Sequence, residues 1–202
     1  MRIVLFLALL FTAFFAQGQR ERDSLAGNWI LTAQGHDFTL GTTKSNAFGG
    51  GAEWFLGEKC SIRGGLAFSD TYFRISTGPL GIFLLTKVKG GNNNNAKQFL
   101  AAALCLAILI INTDGITWHI PICKGVYFTP FIAPMQTVVY YNPANKNALK
   151  FYSSLGAGIS FINKSVFTFN VNAEYTRGFM LTTSEWGYRF MAAVGFRIKS
   201  KF

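Results

Sequence analysis

Catalysis in this chain would have to run through very few side chains. It has two histidines, His36 and His119. A Ser-His-carboxylate hydrolase needs a base within hydrogen-bond reach of its nucleophile, oriented by a third group. Around His119 the sequence reads Thr117-Trp118-His119-Ile120-Pro121, with no serine two residues away on the same face. His36 is followed by Asp37, but neighbours in a strand point to opposite sides. The three cysteines, Cys60, Cys105 and Cys123, are odd in number and without tight spacing, which argues against a disulfide scaffold or a zinc site. Gly49-Gly50-Gly51 lies inside a strand pattern and starts no helix, so it reads as close backbone packing or barrel bending, not as a phosphate loop. No metal-ligand cluster is visible. The expectation is therefore no catalytic residue, no cofactor and no metal.

What remains is a set of polar residues that share one strand parity: Glu53, Arg63, His119, Glu174, Arg189, Arg197 and Lys199. Charges gathered on one face of a sheet need partners, because unpaired buried charge is costly. They read first as an ion-pair and hydrogen-bond network filling a narrow interior, and second as the lining of a selective pore or an active site.

The elements that must position them alternate with period two. At the C-terminus, Trp186, Tyr188, Phe190, Ala192, Val194, Phe196, Ile198, Ser200 and Phe202 fall on one side. Gly187, Arg189, Met191, Ala193, Gly195, Arg197, Lys199 and Lys201 fall on the other. Successive strand side chains point to opposite faces, so one side is almost wholly apolar and the other small or cationic. The same rhythm runs through 151–162 and 166–176, a hairpin with only 163–165 between them. It recurs in 115–123 and, weakened by Pro130 and Pro134, in 126–138. Noisier candidates are 28–38, 46–56 and 60–72. That makes eight strands. Their connections alternate: 57–59, 124–125 and 163–165 are short, while 39–45, 73–114, 139–149 and 178–185 are longer.

The segment 73–114 resists the scheme. It holds an apolar stretch from Gly78, a Gly90-Gly91 and Asn92 to Asn95 tract, and a helix expected over 96–111 with Asn94 or Asn95 as its cap. The apolar part of that helix covers roughly 20 Å, short of the roughly 30 Å hydrocarbon core, so it should not span a membrane. Interface, lumen and barrel rim are the possible positions, with docking on the rim expected first. Two further strands, making ten, are the alternative.

Composition and targeting point the same way. Charged residues are 14%, against about 25% in soluble domains, while aromatics reach 16%. Met1-Arg2 opens an apolar run that ends in Ala16-Gln17-Gly18, so residues 1–18 are expected to be a cleaved signal peptide ahead of one domain, 19–202. The net charge of +10 is read as contact with anionic head groups at the barrel rims; an exported chain has little occasion to meet nucleic acid. Cys60 and Cys123 would end adjacent strands on one rim, but on opposite faces.

Terminal Phe, strand rhythm and leader together resemble the small bacterial outer-membrane β-barrels, the porin-like or OmpX/OmpW-like group. The resemblance implies an all-β, transmembrane, antiparallel up-and-down barrel with a lipid-facing apolar surface and a polar lumen. It implies that Tyr188, Phe196, Ile198 and Phe202 belong to a C-terminal signal read by the barrel-assembly machinery, and that outer-membrane lipid is the partner. Trp29 and Trp54 are then expected near the periplasmic strand ends and Trp118 and Trp186 near the outer ends, as interface aromatics. The function expected is non-enzymatic, through surface loops with an unknown ligand or as a narrow passive channel. The alternatives are a lipid A-modifying barrel enzyme and a soluble secreted β-barrel binding an apolar ligand.

Overall fold

The computed structural model describes residues 25–41, 43–87, 96–141, 148–162, 166–178 and 185–199. The expected signal peptide, the Gly/Asn tract and Phe202 lie outside these residues. One antiparallel sheet closes on itself from β1 (Trp29–Leu40), β2 (Thr43–Phe55), β3 (Cys60–Phe68), β4 (Tyr72–Ser76), β5 (Gly115–Trp118), β6 (Ile120–Cys123), β7 (Val126–Phe128), β8 (Phe131–Tyr140), β9 (Ala148–Ile162), β10 (Phe167–Gly178) and β11 (Trp186–Ile198). Two helices, α1 (Gly78–Lys87) and α2 (Ala96–Ile111), follow β4.

These segments make eight staves. β4, β5 and β6 are successive lengths of the fourth: β3 pairs with β4 from Gly65–Ser76 to Phe68–Phe73, and with β5 from Arg63–Gly115 to Cys60–Trp118. β7 and β8 are the fifth, parted at Pro130 and bulged between Ala133 and Gln136, around Pro134. Proline withholds a ladder donor, which accounts for both irregularities. β1 closes the barrel on β11 from Trp29–Ile198 to Leu40–Gly187. The end where β1 starts and β11 stops is called basal here, and the opposite end distal.

Two expected connections change. The distal turn after β3 is only 69–71, because the Ser69 hydroxyl accepts the backbone N–H groups of Thr71 and Tyr72 (3.1 and 3.0 Å) and folds the chain back at once. Tyr72–Ser76 is then strand, and the insertion interrupts a stave at mid-height instead of forming an outer loop. The connection expected over 39–45 shrinks to 41–42, since β1 and β2 stay paired out to Leu40–Thr43. Short basal turns agree with expectation; at Lys124–Gly125 the positive φ of Gly125 (75°) is one that a side chain disfavours.

The apolar stretch from Gly78 forms a helix. Pro79 sits in its first turn, where no helical N–H partner is lost. α2 occupies the expected 96–111, and among the described residues no helix is long and apolar enough to cross a membrane. The pair docks on the outer wall, not on the rim: α1 packs on β3 and β2 and against α2. Ile62 and Gly64 point outward, yet α1 covers them; a Cβ on Gly64 would lie 2.6 Å from Pro79 Cδ.

The polarity is inside out. Along β11 exposed and buried residues alternate without exception. Outward Phe48 is 74% and Phe167 64% exposed, whereas inward Asn172 and Arg189 are each 3% exposed. An apolar wall of this extent around a charged interior is stable only when hydrocarbon surrounds it.

Candidate functional site

The lumen is layered. Its basal end is sealed by Leu25, Ile30, Phe55 and Ile162, with Tyr127 packed against them. Its distal end is sealed by Phe38, Leu40, Ala47, Ala67, Tyr72, Val138 and Tyr152. Polar residues lie between these two apolar caps.

Just above the basal cap, β2, β3 and the fourth stave bring Glu53, Ser61 and His119 together. The Ser61 hydroxyl donates to Glu53 Oε1 at 2.5 Å. His119 Nε2 lies 2.8 Å from that hydroxyl oxygen and 3.1 Å from the same Oε1. With the hydroxyl proton given to Glu53, Nε2 must carry the hydrogen, so it cannot act as a base toward Ser61. A hydrolytic triad needs the carboxylate on the other ring nitrogen, and Nδ1 of His119 has no hydrogen-bond partner. Ser61 and His119 are fully buried, and the ring of Phe55 lies 4.7 Å from the imidazole. The three side chains form a closed hydrogen-bond triangle.

The central belt is ionic. Asp114 accepts from Arg74 Nη2 at 3.0 Å and from the Ser76 hydroxyl at 2.7 Å, with Arg189 Nη1 at 3.9 Å. Arg189 Nη2 donates to Glu174 at 2.6 Å, and Thr176 donates to the same carboxylate at 3.3 Å. The Arg63 guanidinium lies 4.3 Å over the ring of Phe131. Gln34, Asn172 and these charges enclose a cavity of about 10 Å³, close to the least that holds one water. Both His36 ring nitrogens are buried without a protein partner, and Asp37 points outward, so these two do not combine. Among the described residues no group of metal-ligating side chains is present.

Of the residues singled out by parity, Glu53, Arg63, His119, Glu174, Arg189 and Arg197 are buried inside the barrel. Lys199 is not: it lies beyond the last residue of β11 and is exposed, so strand parity no longer places it in the lumen. Trp29 and Trp54 stack at the basal end, ring centroids 5.2 Å apart, and Trp186 is distal. Trp118 is basal, not outer, because it pairs with Cys60. The fourth stave begins at Tyr72, so residues after the insertion form its lower half. Tyr188, Phe196 and Ile198 are outward and exposed. Cys60, Cys105 and Cys123 are free thiols.

The sequence reading missed Arg74 and Asp114, which fell inside the supposed loop. The alternation Tyr72-Phe73-Arg74-Ile75-Ser76 was the available signal for Arg74. Ser61 shared the lumen parity of Arg63, but its meeting with His119 depends on the register across the broken stave.

No model of a known family matches the chain, and no curated protein matches it. Among solved structures it is similar to the N-terminal β-barrel domain of OprF from Pseudomonas aeruginosa, at 12% identity over 87% of this chain and 100% of that one, with a TM-score of 0.48. It is similar to Ail, the attachment invasion locus protein of Yersinia pestis, at 10% identity over 86% and 99%, with a TM-score of 0.47. A third is the outer membrane protein AlkL in lipid bilayers, at 8% identity over 91% and 95%, with a TM-score of 0.42. Closed eight-stave topology, an apolar outer wall and a charged interior are the architecture of a small transmembrane β-barrel.

Proposed function

We propose that this protein is a closed, non-enzymatic outer-membrane barrel that acts through its outer surfaces and neither conducts solute nor performs chemistry. The observation that carries this is the filled lumen: a charge belt between two apolar caps, with a cavity in the belt about the size of one water. An eight-stranded barrel leaves an interior just wide enough for side chains, and here they fill it. Of the two modes expected from sequence, the filled lumen disfavours a channel. The short distal turns 41–42 and 69–71 leave 141–147 and 179–185 as the outer connections of any length.

The test is conductance of the purified protein in a planar bilayer. No steady openings are expected. Discrete ohmic steps from the unaltered protein would overturn the reading.

The lipid A-modifying alternative has the Glu53–Ser61–His119 triangle as its best case, and the geometry argues against it. Lipid A mass spectra should be the same with and without the protein, and His119→Ala should keep the heat-dependent gel shift. The soluble, ligand-binding alternative is disfavoured by the apolar wall, which would then face water. The remaining assignments belong to the same proposal: cleavage after Gly18, a Trp girdle, and Tyr188, Phe196, Ile198 and Phe202 as an assembly signal.

A further inference from the structure

α1 lies along β3 and β2 and is propped on the wall near both of its ends. Its first turn rests Pro79 on Gly64, and further along Phe83 meets Trp29, ring centroids 6.4 Å apart, where Trp29 is itself stacked on Trp54. Between these supports the wall is low, because the outward positions on β2 are Gly50 and Ala52. The result is a groove of about 730 Å³ between helix and sheet, flanked by Leu31, Leu66 and Leu80. That volume lies within the roughly 300–1,000 Å³ that holds a small ligand.

Its chemistry selects hydrocarbon. No charged side chain lines it. Its three hydroxyl groups are already engaged: Thr32 accepts from Gln34, Ser76 donates to Asp114, and Thr77 donates to the Leu109 carbonyl. The groove also lies on the outward face of the strands, where the surrounding medium is lipid. The groove runs up the wall from Trp29 past Leu66 and Ile75 to Phe68, and the part walled by α1 fits one leaflet. α1 has 10 residues and so is about 15 Å long, half of the roughly 30 Å hydrocarbon core. It runs from the mid-height break in the fourth stave to Trp29 at the basal end.

We propose that this groove seats one acyl chain of a glycerophospholipid from the basal-side leaflet, held as a resident lipid while neighbouring lipids exchange. A gap that stayed empty would forfeit dispersion contacts on both walls, and a flexible chain restores them. This rests on the membrane-barrel reading above and adds a ligand class to it.

The test uses the full-length protein reconstituted in phosphatidylethanolamine–phosphatidylglycerol vesicles, extracted in mild detergent and weighed by native mass spectrometry through stepwise delipidation. One diacyl phospholipid should remain on the wild type when the rest are stripped. Gly50→Phe fills the floor of the groove; a Cβ there meets only the Thr32 carbonyl oxygen, at 3.5 Å. It should retain about tenfold less lipid. Ala173→Phe, on the outward face of β10, should retain as much as the wild type. No retained lipid on the wild type, or equal retention by Gly50→Phe, would overturn the proposal. Each variant is first checked for the boiled-versus-unboiled gel shift, and Ala52→Leu replaces Gly50→Phe if the latter does not fold. A wild type without the shift would sink the membrane-barrel reading itself.

Discussion

Half of this barrel is continuous and half is assembled from pieces. From β9 through β10, β11 and β1 to β2, long strands pair without a break in register. From β3 to β8 the wall is built of short lengths: β4 and β5 share one stave, a proline parts β7 from β8, and the α1–α2 insertion leaves and re-enters at mid-height. The continuous half holds its shape by backbone ladders. The pieced half needs side chains at the join. Thr113 donates its hydroxyl to the Arg63 carbonyl, and Thr77 and Gly78 donate their N–H groups to the Asn112 carbonyl. Asp114 gathers Arg74 and Ser76 from its own stave and Arg189 from across the lumen. An interrupted strand is thus tolerated where a buried carboxylate ties both its lengths to the intact wall.

The sharpest test of that difference is Asp114→Ala. Removing one partner from a buried ionic cluster leaves uncompensated charge and costs about 3–5 kcal/mol. Urea unfolding of the protein in lipid vesicles should show it as a large fall in midpoint. Asn172→Ala, in the continuous half, removes one hydrogen bond to Asn170 and should cost only about 1 kcal/mol. Equal losses would mean that the break needs no special support. Replacing the pair together, Arg74→Met with Asp114→Leu, should recover part of the loss, since no lone charge on either partner is left.

A smaller effect separates the outer surfaces. Ile62 points outward from β3 but is 1% exposed beneath α1, so Ile62→Ala should behave as a core truncation and cost about 2 kcal/mol. Val194 points outward from β11 into lipid, and Val194→Ala should change the unfolding midpoint far less. Ser61→Ala comes next, at about 1 kcal/mol, because Glu53 keeps its contact with His119. If Ser61→Ala also abolished a cellular lipid modification, the triangle would have to be reread as chemistry.

The same contrast decides what could be read from sequence. In 167–178 and 186–198 each residue has a neighbour strand on both sides and faces either hydrocarbon or lumen, so period two is written without gaps. Glu174, Arg189 and Arg197 were legible for that reason, and the 96–111 helix for another, its unbroken apolar run, mostly alanine, leucine and isoleucine. In the pieced half, runs of three to five residues are too short to show a period. The 38-residue interval from Thr77 to Asp114 also hides that Ser76 and Gly115 belong to one stave. Arg74, Asp114 and the basal position of Trp118 were lost for that single reason. The Ser61–His119 contact was lost because parity gives a face, and only register gives a partner.

The smallest expected effect lies at the distal rim, where both halves end. Glu185 accepts from Lys150 Nζ at 2.5 Å and from the Tyr152 hydroxyl at 2.6 Å, so it ties the start of β11 to β9 over the end of β10. Partial burial pushes its carboxyl up, but the hydrogen bonds from Lys150 and Tyr152 and the charge of Lys150 outweigh this and hold it below the ordinary carboxylate range. A depressed carboxylate contributes stability above its unfolded value and loses it as pH falls through the folded one. The tie should therefore be intact at neutral pH and released only in acid. As a solvent-screened pair it is worth less than about 1 kcal/mol. Glu185→Gln should leave the global unfolding midpoint unchanged while raising amide exchange at Gly41 and Gly178, whose N–H groups donate to the Trp186 and Glu185 carbonyls at this corner. The wild type should approach the exchange pattern of the variant only as pH drops below the carboxylate range. A wild type already exchanging as fast as Glu185→Gln at neutral pH would mean that the rim is held by its ladders alone, as in the continuous half below it.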